Sequence, residues 1–498
     1  MAEASRPNHF DVVILGAGPV GENVADRVVQ GGLTAAIVER ELVGGECSYW
    51  ACMPTKALLR DAAALRAARA LPAAGQAVTG TLDPAAVFAR RDRFASNWDD
   101  SGQAEWLNHA GVTLLRGHGR INGTRTVTVT QADGMTTQVH ARHAVVIATG
   151  SSASLPPIQG LADVSPWTSR EAAAAQTVPD RLAIVGGGVV GSEMATAFTA
   201  LGAQVTLVSQ TRLLPGVEPF AGEYVTAALR EAGASLHLEV DAIAVRRDDA
   251  GVHLTLSDGA SVDADEILVA TGRTPNTKDV GLDHVGLVPG DWLHVDDALS
   301  VVDDAGNAVG DGWLYAAGDV NKRALLTHHG KYQARALGDA IAVRAQGQSV
   351  DLSPWGRHAA TADERAVTQV VFTDPEVAAV GLTAEAASKA GLKIRVADYD
   401  LGTVSGAALH ADGYRGQARM VIDAERNVLV GFTAAGPDVA ELVQPAAIAI
   451  AGEVPLERLW HAVPAYPTIS EIWLRLLETD GRPSSTESVR GSGEEQRG

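Results

Sequence analysis

The chain reads as an α/β protein made of two nucleotide-binding units, the second inserted within the first, followed by a C-terminal α+β unit. Three observations predict this. A short apolar strand that runs into a Gly-x-Gly-x-x-Gly turn and then a helix occurs twice, at Phe10–Gly21 and at Leu182–Gly191. An apolar strand closing on Ala-Thr-Gly also occurs twice, at Ala144–Gly150 and Ile267–Gly272. From roughly Leu352 these signals stop, and alternating strands mix with helices. With 498 residues the chain is long enough for two to four domains, and its 52 glycines and 5% aromatics suit glycine-rich α/β proteins. A formal charge of -20 argues against nucleic acid or an anionic membrane as partner. No apolar run reaches the length of a membrane span, and Met1–Asp11 lacks the apolar centre of a leader, so a soluble, cytoplasmic protein is expected.

In chain order, the apolar strand after Phe10 leads to a helix over Glu22–Gln30 and a second strand, Ala35–Glu39. Gly16 makes the tight turn, Gly18 lets a pyrophosphate approach the backbone, and Gly21 allows close helix packing, while the helix N-terminus faces phosphate charge. Glu39 stands 18 residues after Gly21, where a carboxylate accepts hydrogen bonds from a ribose. This is a Rossmann-like unit.

The stretch from Gly44 to Lys56 holds Cys47 and Cys52, the only two cysteines. In a regular α-helix, residues five apart have Cα atoms roughly 8 to 9 Å apart, beyond the reach of about 7 Å that a disulfide allows. To bridge, Cys47 must leave helical geometry while Cys52 begins the helix, where amide dipoles favour a thiolate. The alternative is two buried thiols acting as small hydrophobes. In a reducing compartment a lone disulfide is usually catalytic or redox-sensing.

Ala57–Ala70 continues the helix, Pro84–Phe94 is a further helix, and Val112–Leu115 and Val127–Thr130 alternate as strands. The Ala144 strand ends at Thr149 and Gly150, a turn suited to close approach by a ligand. The second fingerprint has Gly186, Gly188 and Gly191, a helix from near Ser192 and a strand Gln204–Val208. The same count of 18 from Gly191 reaches Ser209, where the first copy has Glu39. A carboxylate there would repel a 2′-phosphate, so Ser209 with Arg212 tilts the second site toward NADPH over NADH. Arg273 either lies over the nicotinamide nucleotide or makes a loop salt bridge. The strand from Leu314 ends at Gly318 and Asp319, an acid that either binds a sugar-chain hydroxyl of a flavin or caps a helix. Thr327, His328 and His329 read as loop, and neither histidine has metal-ligand partners at sequence spacing, so no metal site is expected.

Beyond Leu352, Val367–Phe372, Arg395–Asp400 and Ala418–Asp423 read as strands, and Ala384–Ala390, Asp438–Gly452 and Ser470–Glu478 as helices. The expected boundaries are 1–155 and 279–351 for the two parts of the first nucleotide domain, 156–278 for the inserted one, 352–480 for the C-terminal domain and 481–498 for a disordered tail.

Across about Phe10 to Glu478 the chain resembles the class I pyridine nucleotide-disulfide oxidoreductases, the group of lipoamide dehydrogenase, glutathione reductase and mercuric reductase. The resemblance is carried by both fingerprints, Cys47-x4-Cys52 followed by Met-Pro-Thr-Lys, both Ala-Thr-Gly turns, Ala-Ala-Gly-Asp319, Phe372-Thr-Asp-Pro-Glu-Val and Pro467-Thr-Ile-Ser-Glu471. It implies an FAD domain, an inserted NAD(P)H domain and a C-terminal domain that forms a homodimer and helps complete each active site. By that likeness Gly16, Gly18, Gly21, Glu39 and Asp319 hold FAD, and Gly186, Gly188 and Gly191 the nicotinamide nucleotide; Thr149, Gly150, Gly318, Arg212 and Arg273 are cofactor-binding candidates from the turns and charges themselves. Lys56 is similar to the lysine that pairs with a glutamate near the flavin, and Glu193 matches that glutamate. Cys52 then sits nearer the flavin, and Cys47 exchanges with a small-molecule acceptor.

One departure stands out. Disulfide-reducing members carry a histidine directly before Pro-Thr-x-Ser-Glu, where it moves the proton of the exchanging thiol, oriented by the glutamate. Here the position is Tyr466, with Glu471 kept. A phenol of pKa near ~10 is a poor base at neutral pH, so activation falls to the helix dipole or another group, His461 among the candidates. The expected acceptor is therefore a quinone, a metal ion or a specialised disulfide rather than ordinary lipoamide or glutathione. The runner-up is a dihydrolipoamide dehydrogenase with altered acid–base chemistry, and the third reading a flavin redox sensor without turnover. Without a third cysteine, the additional C-terminal pair of mercuric reductases and of high-molecular-weight thioredoxin reductases is missing. The bulky Tyr49-Trp50 pair is expected to narrow the approach to Cys47.

Overall fold

The computed structural model describes residues 8–481. Apart from Gly481, the tail expected over 481–498 lies outside them. The chain divides into two compact units, one of Met1–Ala62, Thr81–Thr211 and Gly233–Glu364, the other of Ala63–Gly80, Arg212–Ala232 and Arg365–Gly498.

The first unit is organised by β1 (His9–Leu15), α1 (Pro19–Gln30) and β2 (Ala35–Glu39). The short helix α2 (Gly45–Tyr49) follows, and then α3 (Cys52–Arg69). Next come β3 (Thr113–Arg116), β4 (His118–Gly123), β5 (Thr126–Thr130) and β6 (Thr136–Ile147). They form one sheet in the order β3-β2-β1-β6-β5-β4, with the strand Leu314–Ala316 also paired to β6. The pairs around β1 are parallel, and β4, β5 and β6 form an antiparallel meander. Because β1 is apolar on both faces, it is buried on both. Val12 and Ile14 pack with Val24 and Val28 of α1 and with Leu337 and Ile341 of the long helix Thr327–Ala345. Val13 and Leu15 meet Val145, Ile147 and Leu314 on the other face. Each such side chain contributes roughly 1.5–3 kcal/mol by burial, which fixes the C-terminal ends of β1 and β6 where the site is built.

The second fingerprint has its own four-stranded parallel sheet, in the order Ser235–Leu238, Gln204–Ser209, Arg181–Val185 and Glu266–Val269, beside a three-stranded antiparallel sheet over 242–264. In the second unit, five antiparallel strands run in the order Thr368–Val371, Glu376–Gly381, Val428–Gly436, Gln417–Asp423 and Ile394–Asp400. Arg419 from this sheet reaches Glu218 at 2.8 Å, just before the helix Pro219–Glu231, and Asp398 at 2.8 Å.

Four readings are corrected. Thr327, His328 and His329 are not loop but the first turn of the long helix. Cys47 does not leave helical geometry altogether, because it lies inside α2, and the break falls at Trp50. The second fingerprint helix, Val189–Ala200, begins directly after Gly188 rather than near Ser192. The helix expected from Asp438 starts as a short 3-10 turn, Ala440–Leu442, and becomes α-helical only at Val443.

Candidate active site

Gly16 has φ +99°, and a Cβ on it would stand 2.5 Å from the Ala148 carbonyl oxygen; Gly186 has φ +120°, with the Ala270 oxygen at 2.3 Å. A Cβ at Gly21 or Gly191 would meet the oxygen of the first glycine of its own turn at 1.9 Å. Gly18 and Gly188 differ, since a Cβ on either meets no protein atom within 4 Å, and this is the side from which a phosphate can reach the amides at the helix start. Both copies thus have the same geometry, set by where the chain crosses itself.

Around the first copy a pocket is lined by Gly16, Gly18, Glu39, Thr149, Gly150 and Asp319, with Cys47 and Thr327 at one end. Glu39 accepts from the Ala17 amide at 2.7 Å and, through its other oxygen, from the Glu41 amide at 2.8 Å. Each carboxylate oxygen retains a lone pair for a ribose hydroxyl. Thr149 and Asn276 hold each other, Oγ1 donating to the Asn276 carbonyl at 2.8 Å and Asn276 Nδ2 to the Thr149 carbonyl at 2.9 Å. This fits a dinucleotide with a ribose at one end and a redox ring at the other.

Of the two cysteines, Cys47 lines this pocket and Cys52 lies beside it. Both are free, partly buried thiols, hydrogen-bonded to each other. Cys52 Sγ is also 3.3 Å from the Thr327 hydroxyl. The Cys47 thiol lowers the pKa of Cys52 to about 6, burial opposes this, and Thr327 and the Lys56 charge assist. Cys47 is pushed up, first by its bond to Cys52 and then by burial. The two titrate as a pair, with the negative charge on Cys52.

Lys56, one turn along α3, reaches Glu193 on the second fingerprint helix, Nζ to Oε2 at 2.7 Å. Glu193 is 2% exposed, so removing the lysine would take this partner from a buried charge, at about 3 kcal/mol. Lys56 and Glu193 are brought together as the resemblance implied.

Further residues of the site went unnoticed in the sequence. Asp319 accepts from the Ser151 hydroxyl at 2.5 Å, and Arg170 pairs with Glu46 and stacks over Trp50 at 4.2 Å. Gln333, fully buried, accepts from the Gly318 amide at 2.7 Å and donates to Asp363, whose other oxygen meets His329 at 2.9 Å. The sequence pattern leaves Thr327 in a loop, and nothing in it marks Gln333. Tyr49 is turned into the core with its hydroxyl on the Val43 carbonyl at 3.0 Å, so it does not narrow the way to Cys47.

Two expectations for the nicotinamide nucleotide change. The Arg212 guanidinium donates to the carbonyls of Leu213, Leu214, Pro215 and Val217, which binds its own loop and leaves Ser209 to carry the NADPH argument. Arg273 donates to Ser151 Oγ and its carbonyl, both at 2.5 Å, and stands 3.7 Å from Asp319, so it belongs to the first pocket. Tyr466 and Glu471 are in the second unit. Tyr466 is 75% exposed, Glu471 is buried with Arg475 3.8 Å away, and His461 is exposed. Among the described residues no group of three or more His, Cys, Asp or Glu could hold a metal, and no helix is long and apolar enough to cross a membrane.

A cysteine pair with one member lining a dinucleotide pocket, and a second fingerprint supplying the glutamate to its lysine, defines a two-nucleotide redox protein. Residues 10–334 match the family described as pyridine nucleotide-disulphide oxidoreductase, and 367–476 match its dimerisation domain. The chain belongs to this family of enzymes, and its cofactors are FAD and NAD(P)H. It is 32% identical over 470 residues to a mercuric reductase of Shigella flexneri, covering 92% of this chain and 79% of the relative. It is also 32% identical to a dihydrolipoyl dehydrogenase of Haloferax volcanii, over 94% of this chain and 95% of the relative. Among solved structures, LpdA from Mycobacterium tuberculosis aligns with TM-score 0.78 at 26% identity, covering 94% of this chain and 98% of that one. The Cu(II) complex of the HOCl-induced flavoprotein disulfide reductase RclA from Escherichia coli aligns with TM-score 0.79 at 22% identity, over 95% and 99% of the two chains, a likeness of fold. Flavoprotein disulfide reductase chemistry follows from the family.

Proposed function

We propose that the chain works as a homodimer that takes electrons from NADPH, carries them through FAD to the Cys47–Cys52 disulfide, and delivers them to a small-molecule disulfide other than ordinary lipoamide or glutathione. FAD supplies the two-electron exchange between nicotinamide and disulfide. Cys52 receives the electron pair on the FAD side and holds the thiolate, with Thr327 and Lys56 stabilising it. Cys47 attacks the acceptor, and Cys52 then closes on Cys47 to release the product. Lys56, held by Glu193, favours negative charge on the reduced centre.

The observation that carries this reading is the paired thiol: Cys47 lines the dinucleotide pocket, and Cys52 is hydrogen-bonded to it and to Thr327. Tyr466 in the position of the family's histidine is what separates the acceptor from lipoamide, and Ser209 in place of a ribose carboxylate supports NADPH. Anaerobic titration with NADPH should give uptake of four electrons per subunit and a long-wavelength thiolate-to-flavin band. Uptake of two, with wild type and Cys47→Ser alike, would sink the reading. Rapid turnover of dihydrolipoamide would replace the acceptor with the lipoyl group, and turnover with a quinone or metal ion alone would replace the disulfide.

A further inference from the structure

A helix of five residues does not hold itself together in water, because isolated helices shorter than about 12–15 residues are marginal. The helix α2 is this short, and it carries Cys47. Its N-cap is Gly44, at φ +111° with no side-chain cap, and at Trp50 the chain leaves helical geometry before α3 begins at Cys52. Cys47 and Cys52 thus stand on two helices joined by a hinge at Trp50 and Ala51. A disulfide tolerates Cα separations only up to about 7 Å, so for the pair to close repeatedly something outside α2 has to hold it in place.

Arg170 does this from both ends. Its Nε donates to the carboxylate of Glu46, the residue directly before Cys47 in the first turn of α2, and its guanidinium lies over the Trp50 ring at 4.2 Å, at the hinge. Nη2 donates to Glu41 at 3.1 Å, and the second Glu46 oxygen stands 3.8 Å from Arg273. One cation therefore grips α2 through an ion pair at its start and a cation–π contact at its end. Glu46, Cys47 and Arg170 line the same pocket. Arg170 is itself fixed, in the first turn of the helix Ser169–Ala174, where its amide donates to the Thr168 hydroxyl at 3.2 Å and Glu171 accepts from the Thr168 amide at 2.7 Å. The far end of that helix is pinned by the fully buried Arg91, which donates to the Ala173 and Ala175 carbonyls at 2.5 and 2.9 Å. Within α2, Ser48 and Tyr49 are held separately, both hydroxyls bonding to the Gln103 side chain.

We propose that Arg170 is a positioning residue for the redox pair: by gripping Glu46 and Trp50 it keeps Cys47 within bonding distance of Cys52 and so raises the effective concentration of one sulfur at the other. The inference rests on the disulfide-cycling reading above. Two steps of that cycle depend on the grip. After Cys47 has attacked the acceptor, the Cys52 thiolate must reach the Cys47 sulfur of the mixed disulfide, where the Cys47–Cys52 bond forms and the second acceptor thiolate leaves. The closed disulfide must then lie against the same pocket, where two electrons and one proton convert it back to the Cys52 thiolate and the Cys47 thiol. Both steps need α2 in one place, and the bulky Trp50 between the cysteines is the surface by which Arg170 holds it there. Arg170 acts through Glu46 and Trp50, and Cys47 remains the residue that touches the acceptor.

The test uses the full-length FAD-loaded enzyme, equilibrated anaerobically at one fixed pH in mixtures of reduced and oxidised dithiothreitol, then quenched with an alkylating reagent and counted for free thiols by mass. Arg170→Met should shift the equilibrium toward the open dithiol by about tenfold, about 30 mV in potential. Arg170→Met combined with Glu46→Gln should stay shifted, because neither variant has the grip; a return of the double variant to the wild-type value would assign the effect to the Glu46 charge beside Cys47 and overturn the proposal. Trp50→Ala should shift in the same direction, whereas Trp50→Phe, which keeps an aromatic face for the guanidinium, should remain near wild type. Wild-type equilibria in Arg170→Met and Trp50→Ala overturn the proposal even where the thermal midpoint falls, since a contact that only stabilises the fold leaves the thiol equilibrium where it was. If Arg170→Met does not load FAD, the two Trp50 variants decide, because they touch only one end of the grip. If the wild-type cysteines stay open even in oxidised dithiothreitol alone, the disulfide reading falls and this inference with it; a wild-type disulfide with unchanged equilibria in the variants removes the inference alone.

Discussion

Cys47 and Cys52 sit five positions apart, yet they titrate in opposite directions. Cys52 opens α3 where amides point at its sulfur, and it receives the Cys47 S–H, the Thr327 hydroxyl and the Lys56 field. Its pKa falls to about 6, so the reduced enzyme carries a Cys52 thiolate above that pH, and the thiolate is protonated as pH falls through it. The long-wavelength band of the two-electron-reduced enzyme should therefore be half lost near this pH. Thr327→Val removes a hydrogen bond to a charged sulfur, worth about 1.4 kcal/mol, and should move the midpoint up by about one pH unit. An anaerobic absorbance titration of both proteins measures this; coincident midpoints would show that the hydroxyl does not serve the thiolate. The cysteines and Lys56 were legible because they share one short stretch of chain. Thr327 was not, because it is 275 positions away and meets Cys52 only through packing.

Among the elements, the long helix Thr327–Ala345 links the most parts of the site. Its first turn carries Thr327 to Cys52, and its second places Gln333 against the Gly318 turn. Gln333 also takes Asn321 Nδ2 at 2.8 Å and gives its own amide to Asp363 at 2.7 Å. Gln333→Leu would leave the Gly318 amide and the Asp363 carboxylate without these partners in a dry interior, costing about 3 kcal/mol. The expected result is a lower thermal midpoint and faster FAD loss, because the same turn presents Asp319, while Cys52 still reacts with a thiol reagent. Retention of FAD equal to wild type would mean that this network only stabilises the fold. Polar starting residues hid this helix: Thr, two histidines and Gly imitate a loop, although His329 and Gly330 are buried, the glycine against Val20 of α1. The β1, α1 and β2 elements carried their own signals, apolar runs and glycines at fixed spacing, and needed no partner to be recognised.

On the scale of the whole molecule, the same local solution is used at two fingerprints for two purposes. Gly16 and Gly186 adopt the same left-handed turn, and at each a Cβ would collide with the carbonyl of a neighbouring strand's exit, Ala148 in one and Ala270 in the other. Sequence spacing revealed both turns, because the constraint is local and steric. It did not reveal which arginines serve which copy, since Arg212 is held by the carbonyls of its own loop and Arg273 by Ser151, far away in the chain, rather than by their distance from a glycine. The duplication makes the two sites separable. Gly186→Ala should distort only the second turn, whose strand Arg181–Val185 belongs to a different sheet from β1. The variant should keep FAD and still form the thiolate-to-flavin band when reduced with dithionite, yet lose at least about a hundredfold in kcat/KM for NADPH, as expected when about 2.7 kcal/mol of nucleotide binding is lost. Gly16→Ala should instead purify with little FAD and show no band with either reductant. Flavin content, dithionite titration and NADPH kinetics on the two variants separate these outcomes, and loss of FAD from Gly186→Ala would mean that the second fingerprint also supports the first site, through the Lys56–Glu193 contact that joins their helices.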